Sequence, residues 1–86
     1  MKSLTTSEFW EGYRALSPAV RAQARKAFRL WLDDPRHPSL RFEKKGNYWS
    51  ARVSRGYRAL AREHEGDFYW FWIGSHDDYE RLLHES

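Results

Sequence analysis

Cysteine is absent from the 86 residues, which excludes a disulfide staple and any thiolate metal site. That absence fits a reducing compartment, and the expected location is the cytoplasm. Glycine, with five residues, and proline, with three, are scarce. No linker, low-complexity stretch or repeat breaks the chain, and no Gly-rich phosphate loop occurs. Long apolar runs are missing too. The longest, Phe68 to Ile73, is far too short to span a bilayer, so no membrane association is expected. The first residues carry no charged segment followed by an apolar one, so no signal peptide is expected. What the chain has in plenty is aromatic weight: five Trp, five Tyr and five Phe. A domain this small hides only about 60% of its unfolded surface, and each buried aromatic removes roughly 150–250 Å² from water. These side chains should build the core of a single domain over residues 1–86. Fifteen Lys and Arg oppose twelve Asp and Glu, giving a net charge of +3. The excess is mostly Arg, whose planar fork suits phosphate and carboxylate. A polyanion or an acidic protein is the natural partner class; the plainer reading is an ordinary basic surface.

The pattern reads as two helices, three or four strands and a short helix. Thr5 and Glu8 have capping-box spacing, and Phe9, Tyr13 and Leu16 recur at helical intervals with Trp10 beside them. Ser17-Pro18 reads as an N-cap with proline at the first helical position. Val20, Ala24, Ala27, Phe28 and Trp31 then form an apolar stripe, expected to face the sheet and to end near Leu32, because the residue before Pro35 disfavours helix. Leu40–Lys45, Tyr48–Val53, Tyr57–Arg62 and Phe68–Ile73 read as strands, the last a central one because both its faces are apolar. Asp77 or Asp78 should cap a final helix carrying Tyr79, Leu82 and Leu83. The expected fold is α+β: an αα-hairpin on one face of a three- to four-stranded antiparallel sheet, with a short C-terminal helix and an open, polar second face.

His37, His64, His76 and His84 share no metal-ligand spacing, so neither a metal nor a cofactor is expected. No serine stands in a nucleophile-elbow context. What remains is Arg52, Arg58 and His76 near the ends of three successive strands. Strands lie about 4.8 Å apart, so three such groups can converge on one phosphate. The alternative for Arg58 is a cross-strand pair with Glu43, Glu63 or Glu65. His76 suits proton transfer near neutral pH, or merely caps a turn. His37, between two prolines, reads as structural. Trp49, Trp70 and Trp72 read as core, Tyr48 as a base-stacking candidate, and Lys44-Lys45 as a hairpin tip within reach of backbone phosphates.

Gly56-Tyr57-Arg58-Ala59-Leu60, followed by an apolar strand and Gly74-Ser75-His76, resembles the C-terminal half of the RelE/ParE toxin superfamily. Trp49-Ser50-Ala51-Arg52-Val53 resembles the strand that precedes that turn, and the loop from Pro35 to Leu40 resembles the family's junction of helix and sheet. The site pattern is most similar to the RelE/YafQ-like mRNA interferases. The resemblance implies the toxin of a type II toxin–antitoxin pair, with an acidic antitoxin as partner. It implies a metal-independent endoribonuclease acting on mRNA, ribosome-bound in many relatives, through attack of a 2′-hydroxyl on phosphate. His76, Arg58 and Arg52 would be catalytic; Lys44, Lys45, Tyr48, Arg55 and Tyr79 would bind substrate. The ParE branch implies instead a non-enzymatic inhibitor of DNA gyrase, and a third alternative is a non-toxic relative that only binds an antitoxin. The family opens with a strand, for which residues 1–6 leave little room.

Overall fold

In the computed structural model, residues 2–85 are described. In chain order they form β1 (Ser3–Thr5), α1 (Ser7–Arg14), α2 (Pro18–Asp33), a 3₁₀ turn (Pro38–Leu40), β2 (Glu43–Lys45), β3 (Tyr48–Ser54), β4 (Tyr57–His64), β5 (Asp67–Ser75) and α3 (His76–Glu85). The α+β class is as read from the pattern. The sheet is larger than the three or four strands expected: five, in the order β1-β5-β4-β3-β2. All neighbours are antiparallel except β1, which runs parallel to β5 and pairs Ser3 with Phe68 and Thr5 with Trp70. β5 therefore has a strand on each side, as its two apolar faces demanded.

Caps explain the helix starts, with two corrections. α1 is capped by Thr6, not Thr5: the Thr6 hydroxyl accepts from the Phe9 amide at 3.3 Å, and Thr5 lies in β1. Glu8 then cannot close a capping box. Its carboxyl is held below the usual range by its own backbone N–H and by the Thr6 hydroxyl. Ser17 caps α2 as read, accepting from the Val20 amide, with Pro18 at the first position. α3 begins at His76, so Asp77 and Asp78 lie inside its first turn; the Ser75 hydroxyl does the capping, accepting from the Asp78 amide at 3.2 Å. Leu40, read as the start of a strand, instead closes the 3₁₀ turn and is buried in the core, and β2 starts only at Glu43.

α1 packs on β5 and α2 on β3. Trp31, 2% exposed, is the hub, with the rings of Phe42, Phe68 and Trp70 edge-on at 5.4–5.6 Å. Val20, Ala24, Ala27 and Trp31 face the sheet as read, but Phe28 is 41% exposed, which corrects its place in the stripe. It lies at the margin, stacked on Trp31 at 6.4 Å. At 100° per residue it falls about 70° off the stripe's centre.

Gly12 sets how closely α1 approaches β5. A Cβ added there would lie 2.8 Å from the Ile73 carbonyl oxygen, a backbone atom. Gly12→Ala is expected to destabilise the fold by about 1–3 kcal/mol through overpacking, despite a helix-propensity gain of up to about 1 kcal/mol. Urea unfolding checks this, and a more stable variant would contradict it.

Inward-facing residues on β5 change parity. Phe68 and Trp70 are buried on the helical side, and so is Ile73. The cause is a bulge: Ala61 pairs with Trp70 and Leu60 with Trp72, leaving Phe71 as the extra residue. Phe71 and Trp72 thus both lie on the face away from α1 and α2. That face is not wholly open, which corrects the expectation. α3 packs against β4 and β5, and Leu60, Ser50 and Tyr79 are buried there at 0%, 4% and 5% exposure.

Candidate phosphate-binding site on the sheet

β3 and β4 are paired so that Arg52 stands directly opposite Arg58, and Arg58 in turn opposite Gly74 of β5. Like charges directly opposite on a sheet destabilise it, so this row needs an explanation. Arg58 is half-buried beside the β3–β4 turn. Its Nη1 donates to the carbonyls of Ser54 at 2.7 Å and Tyr57 at 2.9 Å, and more weakly to Arg55 at 3.4 Å. The expected pair with Glu43, Glu63 or Glu65 does not form; backbone oxygens take that place. Burial, then the charge of Arg52, hold the Arg58 guanidinium below the usual arginine range, and Arg41 adds to the effect. Arg41 follows the 3₁₀ turn in the left-handed region, with φ of 44°. Among the described residues none of these three arginines makes an ion pair.

His76 sits at the same end of the sheet. Its backbone N–H donates to the Gly56 carbonyl at 2.8 Å, which ties the start of α3 to the β3–β4 turn. Its Nε2 lies 3.3 Å from Glu80 Oε1 and its ring 5.8 Å from that of Tyr79. His84 approaches the other Glu80 oxygen at 3.9 Å. Asp78 is engaged by Arg81. His37 is structural as read: its Nδ1 accepts from the Ser39 amide at 3.2 Å.

The residues expected to bind substrate are dispersed. Lys45 and Tyr48 form one cross-strand pair on the face that carries Arg52 and Arg58, with Lys45 Nζ 3.1 Å from Glu43. Lys44 pairs with Trp49 and so lies on the opposite face. Arg55 is exposed in the turn between β3 and β4. Tyr79 is buried under α3 and has little ring surface to offer a base.

Three further features of this face were not read from the sequence. Arg41 gives no signal there, because only the turn geometry brings it near Arg58. Trp72 is expected in the core with Trp70. Instead its ring folds over Gly74: a Cβ at Gly74 would lie 2.7 Å from Cζ2 of Trp72. Since Gly74 is opposite Arg58, the indole flanks the arginine row. Arg62 lies over Phe71. The available signal was a strand with aromatics at both parities, Tyr69 to Trp72, which a regular alternation cannot bury on one side.

A cavity of about 210 Å³ lies on the helical side of the sheet, lined among others by Phe9, Trp10, Tyr13, Phe28 and Trp31. Its lining is almost wholly apolar, and at its margin the Arg25 guanidinium donates to the Tyr13 hydroxyl at 2.8 Å.

A family model described as the ParE-like toxin domain matches residues 18–81. No curated protein matches the chain. Among solved structures, the chain is similar to the YoeB/ParE toxin from Agrobacterium tumefaciens, at 21% identity and TM-score 0.66, over 88% of this chain and 99% of that one. It is similar to a chain of the RelB-RelE antitoxin-toxin complex from Methanococcus jannaschii, at 13% identity and TM-score 0.71, over 92% and 96%. It is also similar to YafQ from E. coli, at 8% identity and TM-score 0.70, over 91% and 96%. At these identities the likeness is one of fold.

Proposed function

The chain belongs to the ParE-like toxin family, and from that premise we propose that it is the toxin of a toxin–antitoxin pair and acts by cutting RNA. The observation that carries the reading is the facing of Arg52 and Arg58, with the charge of Arg41 also acting on Arg58 and, among the described residues, no ion pair to any of them. A phosphate placed there relieves the repulsion and meets planar donors suited to it. The similar M. jannaschii chain is described in complex with an antitoxin, which supports a protein partner for this chain; the net charge of +3 favours an acidic one.

In the proposed reaction a ribose 2′-oxygen attacks the adjacent phosphorus and the bond to the 5′-oxygen breaks. The products are a 2′,3′-cyclic phosphate and a 5′-hydroxyl. One proton leaves the 2′-hydroxyl and one is delivered to the departing 5′-oxygen, so the proton count balances. His76 performs one of these two transfers and water the other. Arg52 and Arg58 stabilise the charge that builds on the non-bridging oxygens. A second reading, a protein-target inhibitor of the ParE kind, draws on the engagement of Arg58 Nη1 with turn carbonyls.

Induction of the chain in bacteria tests the reading. His76→Ala is expected to lower RNA cleavage by about 10²–10⁴-fold and to relieve growth arrest. It should stay folded, since the ring's polar contact is Glu80 on the same helix. Arg58→Lys is expected to fail as well, because an ammonium cannot hold the turn carbonyls and fork a phosphate together. If both variants are folded by circular dichroism and fully toxic, the inhibitor reading replaces this one.

A further inference from the structure

The bulge on β5 has a second product. It carries Phe71 onto the face that also bears Arg52 and Arg58, and there Phe71 meets Tyr48 of β3, the ring centroids 5.0 Å apart and the planes at 58°. Arg62 of β4 lies over both rings, its guanidinium carbon 4.3 Å from the Phe71 centroid and 5.6 Å from that of Tyr48. Lys45 of β2 stands opposite Tyr48. Four strands thus contribute one row: Lys45, Tyr48, Arg62 and Phe71. Arg62 is exposed and makes no ion pair among the described residues. A free arginine side chain keeps about 2 kcal/mol of rotamer entropy, whereas a lone exposed cation–π contact returns only about 0.5–1 kcal/mol. Here the guanidinium lies over two rings, one of them that of the inserted Phe71.

We propose that the Tyr48–Arg62–Phe71 stack is a second RNA subsite, where a base of the strand held at Arg52 and Arg58 stacks on the Arg62 guanidinium. The inference rests on the RNA reading above. Bases stack on guanidinium planes as well as on aromatic rings, and such stacking tolerates any base. The neighbouring Lys45 supplies a cation for the backbone. Arg58 and Arg62 are four positions apart on β4, about 13 Å at the rise of a strand. One stacked base step covers only about 3.4 Å, so a dinucleotide held at the arginine row falls short of Arg62 and a hexanucleotide reaches it.

Binding of uncleavable 2′-O-methyl RNA to the full chain tests this. The unaltered protein should bind a hexanucleotide about tenfold more tightly than a dinucleotide, near the low end of one base stack. Arg62→Ala and Phe71→Leu should lose that gain while keeping dinucleotide affinity; Arg52→Ala should weaken both. Arg62→Lys should behave as Arg62→Ala, because it keeps the charge and loses the plane. Variants that keep the length gain overturn the subsite, and so does full rescue by lysine. If the variants lose only the binding of an acidic peptide, the row is a protein contact and the proposal falls. If the unaltered protein binds neither oligonucleotide, the RNA reading itself has failed, an outcome distinct from loss of the subsite alone.

Discussion

Replacing Trp31 with alanine is expected to lower stability by about 3–5 kcal/mol, a large share of what a domain of this size holds. Trp31 is 2% exposed and touches the rings of Phe28, Phe42, Phe68 and Trp70, so the cavity would open where α2 meets the sheet. Phe28→Ala should cost much less, about 1 kcal/mol, because the ring is 41% exposed. Trp31→Phe should also be mild. The indole nitrogen is buried and has no hydrogen-bond partner among the described residues, and removing an unsatisfied donor recovers part of the lost packing. Urea midpoints for the three variants decide the phase of α2. Equal losses at Phe28 and Trp31 would contradict it.

Arg52→Ala is expected to separate stability from activity. Removing one of two directly opposed charges should leave the fold as stable as before or raise it by up to about 1 kcal/mol. The same change should lower RNA cleavage by about 10²–10³-fold, the usual loss when one preorganised donor to transition-state charge is removed. Arg58 cannot give so clean a result, since its Nη1 also holds the turn carbonyls of Ser54 and Tyr57 and each lost bond costs about 0.5–1.5 kcal/mol. Thermal unfolding beside a cleavage assay checks both halves for Arg52. Lost stability together with unchanged cleavage would make the arginine pair a structural feature.

Local chemistry made some of this legible in the sequence and hid the rest. The Ser17-Pro18 start of α2 and its stripe depend on neighbours within a few residues, so spacing alone revealed them. The meander from Tyr48 to Ser75 was legible for the same reason: each strand pairs with the next across a short turn. β1 was not, because three residues carry no period and their partner, β5, lies more than sixty positions away. The bulge at Phe71 was hidden because it is a property of pairing, and it reversed the reading of Trp72. The placement of Arg52, Arg58 and His76 at one end of the sheet followed from strand order. The bonds from Arg58 to carbonyls and the approach of Glu80 to His76 depend on a turn and a helix phase that residue types do not specify.

In the proposed reaction the arginine row and His76 direct a 2′-hydroxyl onto its neighbouring phosphate. The chemistry of the cut ends tests it most directly. RNA treated with the purified chain should carry 2′,3′-cyclic phosphates and 5′-hydroxyls, and these ends should fall sharply with Arg52→Ala and with His76→Ala. Ends with 3′-hydroxyls and 5′-phosphates, or cyclic ends in equal yield from the unaltered protein and both folded variants, would contradict the account.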